Sequence, residues 1–176
     1  VNIYRQIISL YPDFKLIIVP RHIERAASII EILQKNGFPD IITMTQIKNN
    51  EPREDRRIVL IDVIGELFKL YSLATLVYCG GSLVPKGGQN ILEAAAWGKV
   101  VFYGPFMDDF REEKTLLESV GGGVMVGSAK DLEQKILHVL KNSAGLADSG
   151  ARGKAIVAAN KGAAERYAEM IKKYLD

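Results

Sequence analysis

The chain has one cysteine, two histidines and one tryptophan in 176 residues, and these shortages remove whole classes of function. A lone Cys79 can form no disulfide within the chain, which fits a reducing compartment and a fold held by its core. Cys79 lies in an apolar run with no histidine near it in sequence, and reads as a small core residue rather than a nucleophile. His22, His138 and Cys79 are too few and too scattered for a His/Cys metal cluster, so neither metal nor cofactor is expected. Excess charge is also lacking: the net charge is +2, which is no electrostatic footprint for nucleic acid. The cluster Arg53–Arg57 reads as a solvated loop. No apolar run approaches the length of a membrane span and no secretory leader is visible, so a soluble chain is expected. An opening Val1 rather than Met fits a piece of a longer protein, and equally a removed methionine. Repeats, low-complexity tracts, nucleophile–base pairs and carboxylate dyads are all missing.

What is present is a regular alternation. Hydrophobic residues make up 48% and charged ones 25%, ordinary values for one globular domain with a real core. Short β-rich runs are expected as strands over Phe14–Val19, Asp40–Gln46, Arg57–Val63, Thr75–Cys79, Lys99–Tyr103 and, more weakly, Gly123–Val126. Helical spacing occupies 2–10, Arg21–Asn36, Gly65–Tyr71, Ile91–Trp97, Phe110–Val120 and Leu132–Asn142, the last capped by Ser128. An alanine-rich helical tail over Leu146–Tyr174 is expected to break near Gly150, Gly153 and Gly162. Strands alternating with helices imply an α/β fold: a Rossmann-like parallel sheet of about six strands with helices on both faces, in a single domain over 1–176. In such sheets ligands meet the loops that leave the carboxyl ends of strands.

One of those loops dominates. The run Leu73–Cys79 empties into Gly80-Gly81, followed by Ser82, Lys86, Gly87-Gly88 and the helical pattern that opens at Asn90. A strand, a glycine-rich loop and a helix start together form an anion cradle: glycines admit a ligand to the backbone, and the helix presents unpaired N–H groups. Lys86 adds a cation. After the first strand, Arg21 offers a fork for phosphate or carboxylate, or is a surface arginine at a helix start. After the third, Ile64-Gly65-Glu66 offers backbone and carboxylate to a base or sugar, although Glu66 equally suits the first turn of a helix. Asn90 and Glu93 have the spacing of a capping box, and Glu93 also suits a ribose diol. Asp108-Asp109 reads as a solvated loop, Gly121–Gly123 as a turn, and Trp97, Phe102 and Tyr103 as core.

Pro20-Arg21-His22, the DVIGEL run at Asp62–Leu67, the block Gly80–Pro105 and the DFRE run at Asp109–Glu112 together resemble the 3-deoxy-D-manno-octulosonic acid (Kdo) transferases of lipopolysaccharide biosynthesis. The resemblance covers nearly the whole chain from Phe14, and only the family's C-terminal half. It implies a GT-B glycosyltransferase that needs no bound metal. The C-terminal, Rossmann-like domain would hold CMP-Kdo, and an N-terminal domain outside this chain would carry the lipid A precursor and the catalytic base. It further implies an enzyme at the cytoplasmic face of the bacterial inner membrane, and an isolated chain without transfer activity. By motif, the nucleotide-sugar would meet Pro20, Arg21, Ile64, Gly65, Glu66, Gly81, Ser82, Lys86, Gly87, Gly88, Gln89, Asn90, Ile91, Leu92 and Glu93. The chain departs from the family pattern where Ile23 stands for Pro, Lys86 for the frequent Arg, and, against the family's GGHNPLE, Gln89 for His and Ile91 for Pro. Two other readings stay open, a GT-B donor domain for a UDP-sugar and a non-catalytic nucleotide-binding or interaction module.

Overall fold

A computed structural model describes residues 1–52, 56–160 and 170–172. The chain divides into two compact units, Val1–Leu70 and Tyr71–Asp176. The α/β pattern read from the sequence is present as six parallel strands, distributed over two sheets of three.

In the first unit, α1 (Asn2–Leu10) precedes β1 (Leu16–Ile18), α2 (Ala26–Lys35), β2 (Ile41–Thr43), α3 (Met44–Lys48), β3 (Ile58–Leu60) and α4 (Leu67–Leu70). The sheet order is β1-β3-β2, with Leu16 and Ile41 both opposite Ile58. The buried side chains Tyr4, Leu33, Ile41, Ile58 and Leu60 form the core, flanked by Phe14, Leu16 and Ile18. The second strand is shorter than the sequence pattern suggests. Its end is taken by a helix start: Thr43 accepts from the Gln46 N–H and Gln46 Oε1 accepts from the Thr43 N–H, a complete capping box. Asp62, just past β3, accepts from the Thr45 N–H at 2.9 Å and secures the same turn. Burial raises the Asp62 pKa, but the hydrogen bonds from Thr45 and Thr43 outweigh it and hold the carboxyl below its usual range.

The second unit runs β4 (Leu76–Tyr78), α5 (Leu92–Ala96), β5 (Val100–Tyr103), α6 (Arg111–Ser119), β6 (Gly123–Met125), α7 (Ala129–Leu140) and α8 (Ser143–Ala159). The sheet order is β4-β5-β6. All four residues of β5 are buried, because this strand is central and its neighbours cover it. Cys79, Ile91, Ala94, Ala95, Val101, Tyr103, Met107 and Leu117 make the core, as the sequence implies for Cys79 and Tyr103. Ser128 caps α7 by accepting from the Asp131 N–H. Trp97, by contrast, is 40% exposed and is not a core residue.

The tail also differs from expectation. Helix α8 runs unbroken through Gly150 and Gly153, both buried. These glycines are there for contact. A Cβ on Gly150 would overlap the Gly98 carbonyl at the end of α5, and one on Gly122 would lie 2.8 Å from the Gly153 Cα. Backbone thus packs directly on backbone where α8 crosses the turns after α5 and α6. Gly162, and Arg53–Asp55 of the charged cluster, lie outside the described residues.

Candidate functional site

The loops at the carboxyl ends of β1, β3, β4 and β5 carry the residues of interest. After β1, Pro20 is half-buried and Arg21 exposed. Helical backbone starts later than expected, with a 3-10 turn at Ile23–Arg25 leading into α2. Arg21 therefore stands in the loop rather than in a helix turn. Its guanidinium has no ion pair or hydrogen bond among the described residues, whereas His22 lies 3.6 Å from Glu24.

After β3, Ile64 is 83% exposed. Gly65 has φ +91 and open space where a Cβ would stand. Glu66 is the last residue before α4, and its carboxylate is held at 2.7 Å by Lys48 from α3. That hydrogen bond and the lysine's charge keep Glu66 below its usual carboxylate range. Lys48 did not stand out in the sequence, since it reaches its partner across 18 residues, and Asp62 entered only as the first residue of the DVIGEL run, with no sign of its bond to Thr45.

After β4, the Cys79 N–H continues the ladder by donating to the Phe102 carbonyl at 2.8 Å, and the chain then leaves the sheet. Gly81, Gly87 and Gly88 take φ of +76, +77 and +77, a region that a side chain disfavours. Lys86 is exposed, and its ammonium is unpaired among the described residues. Gln89 is half-buried, and its carbonyl lies 3.7 Å from the Cys79 Sγ. Burial raises the Cys79 thiol pKa, and the side chain lies in the core.

Two residues of the expected contact set turn inward. Ser82 is 0% exposed and Ile91 1%, so their side chains pack inside the protein. The expected capping box also fails to form. Helix α5 starts one residue later than the box requires, with Ile91 at the N-cap, and Asn90 Oδ1 accepts from the Leu92 N–H at 3.0 Å. Asn90 thereby takes the first helical donor for itself. Glu93, half-buried in the first turn beside the half-buried Leu92, makes no hydrogen bond among the described residues. Its charge is felt by Tyr71, whose pKa is pushed up to about 12, first by burial and then by Glu93 and Cys79.

The loop after β5 lies against the glycine loop. A Cβ on Gly87 would overlap the Asp109 carboxylate, and one on Gly88 would overlap the Met107 sulfur. Asp108 pairs with Arg111 at 2.7 Å, in keeping with a solvated turn, but Asp109 is a neighbour of the cradle. Among the described residues no group of His, Cys, Asp and Glu could hold a metal ion.

No family model matches the chain. A 3-deoxy-D-manno-octulosonic acid transferase of Haemophilus influenzae is 33% identical over 174 residues, covering 98% of this chain and 40% of the relative. One from Aquifex aeolicus is 33% identical over 137 residues, covering 78% of this chain and 36% of the relative. The chain therefore spans well under half the length of these relatives. The crystal structure of the C-terminal CMP-Kdo binding domain of WaaA from Acinetobacter baumannii superposes with a TM-score of 0.79 at 22% identity, over 89% of this chain and 80% of that one, and shares its fold. Together with the motifs at Pro20–His22, Asp62–Leu67 and Gly80–Pro105, these matches establish that the chain belongs to the 3-deoxy-D-manno-octulosonic acid transferase family.

Proposed function

We propose that residues 1–176 form the domain that binds CMP-Kdo in a glycosyltransferase of lipopolysaccharide biosynthesis. The observation that carries this reading is the loop after β4. Gly81, Gly87 and Gly88 give it left-handed backbone, Lys86 brings an exposed ammonium unpaired among the described residues, and Glu93 follows with a carboxylate that serves no cap. CMP-Kdo has a phosphodiester and a sugar carboxylate, which call for cationic or N–H-rich positions; the first unit offers the exposed Arg21 and the second the exposed Lys86. Pro20, Ile64, Gly65 and Glu66 are assigned to the nucleoside, and Gly81, Gly87, Gly88, Gln89 and Asn90 to the phosphate and sugar. Leu92 lies beside them, and Glu93 takes the ribose diol. As the sugar departs, negative charge grows on the CMP phosphate, and a cationic group held against that phosphate would lower the barrier. The acceptor, a lipid A precursor, and the base that removes its proton belong in this reading to an N-terminal domain of the parent enzyme. That enzyme would work at the cytoplasmic face of the bacterial inner membrane.

A calorimetric titration with CMP, UMP and UDP tests the proposal. CMP should bind most tightly. Preference for UDP would move the chain to the UDP-sugar enzymes, and no binding by any of the three would overturn the donor reading in favour of an interaction module.

A further inference from the structure

The residue that couples the two loops of the second unit is Ser82. Its hydroxyl donates to the Cys79 carbonyl at 2.5 Å and accepts from the Gly104 N–H at 2.8 Å. Its own carbonyl accepts from the Phe106 N–H at 2.9 Å. Gly104 sits so close to that carbonyl that a Cβ would overlap it. Five residues on, the same pair of loops meets again where Gly87 rests on Asp109 and Gly88 on Met107. The loop after β4 is therefore bolted to the end of β5 at Ser82 and rests on the turn that follows β5.

A glycine-rich loop pays heavily in conformational entropy when a ligand fixes it, and prior fixing removes that cost. A buried hydroxyl that donates and accepts at once suits the task. Alanine would leave the Cys79 carbonyl and the Gly104 N–H buried without partners. We propose that Ser82 is a positioning residue: it never touches the nucleotide, and it holds Lys86, Gly87 and Gly88 in the conformation that receives the donor's anionic group. This rests on the donor-binding reading above.

The test compares the 176-residue chain with Ser82→Ala, Ser82→Cys and Leu132→Ala. Leu132 is buried on α7, and its truncation lowers stability away from these loops. In ligand-free Ser82→Ala, the Gly87 and Gly88 amide resonances should move or broaden, and CMP should bind roughly tenfold more weakly. Ser82→Cys, which keeps a weak donor and acceptor, should recover part of that affinity, and it decides the matter if the alanine variant does not fold. Leu132→Ala should melt earlier with Gly87, Gly88 and CMP affinity as in wild type. Unmoved Gly87 and Gly88 amides in the Ser82 variants overturn the bolt whatever the nucleotide does. Moved amides with wild-type CMP affinity overturn the positioning role. A wild-type chain that binds no CMP, with amides that still respond to Ser82, overturns the donor reading while the bolt stands.

Discussion

Glu93→Gln separates a binding role from a structural one. Glutamine fits a capping box nearly as well as glutamate, but here no box exists: Ile91 is the N-cap, and the first helical N–H is taken by Asn90. The free chain should lose almost nothing, within about 0.5 kcal/mol, or roughly 1–2 °C in Tm for a chain of this size. A ribose held by an ionised carboxylate is another matter. The carboxylate accepts from both hydroxyls, whereas glutamine loses the charge and presents an N–H₂ to one of them. CMP affinity should fall by about 1.5–3 kcal/mol, roughly 10- to 150-fold. Calorimetry against 2′,3′-dideoxy-CMP supplies the control, since that ligand should bind wild type and variant equally. Tyr71 gives an internal check, because part of its rise to about 12 comes from the Glu93 charge, and its ionisation should move to lower pH in the variant. A variant that melts several degrees early and still binds CMP like wild type would refute the reasoning and return Glu93 to the scaffold.

Arg21→Ala should weaken CMP binding by roughly 10- to 150-fold with little change in Tm, and Arg21→Lys should recover only part, because an ammonium cannot form the guanidinium fork. Unchanged affinity in Arg21→Ala removes it from the site. Gly150→Ala gains about 1 kcal/mol of helix propensity, yet the Cβ meets the Gly98 carbonyl, and the urea midpoint should report a net loss of about 1–3 kcal/mol. A more stable Gly150→Ala would show the contact to be loose. At alkaline pH, Tyr71 and Tyr103 both have raised pKa values, Tyr71 through burial and Glu93, Tyr103 through burial, the Glu118 charge and its hydrogen bond to Glu118. Their neutral forms are favoured in the folded state, so stability should hold below the unfolded value near 10 and fall as pH rises toward 12. Tyr103→Phe should flatten that fall in pH-dependent urea melts, and an unchanged slope would exclude it.

Much of this architecture was legible because strand runs and helix periods are local signals. Leu16–Ile18, Val100–Tyr103 and the Ser128 cap follow from neighbours in sequence. Thr43–Gln46 was misread because Asp40–Gln46 is β-rich in composition, while the short T-x-x-Q spacing decides the backbone. Gly150 and Gly153 read as helix breakers, since nothing local reveals that the Gly98 carbonyl and Gly122 stand against them. The placement of Arg21 and Lys86 in loops that follow strands, and of Glu93 in the first turn of a helix, was legible. The inward turn of Ser82 was not, because its partner Gly104 is 22 residues away and a serine among glycines looks like a ligand contact. The Lys48–Glu66 pair escaped for the same reason.

The order β1-β3-β2 makes the last strand of the first unit its central one. Neither β1 nor β2 has a strand to pair with until Ile58–Leu60 has been made, so a growing chain emerges with two lone apolar strands and no ladder. The second unit has no such wait, since β4 meets β5 and β5 meets β6 in the order of synthesis. The two sheets thus differ in their kinetics: one closes in a single late step with open edges exposed beforehand, and the other grows strand by strand. During synthesis or refolding, the first seventy residues are where aggregation would begin, and β3 is the element whose arrival ends that risk.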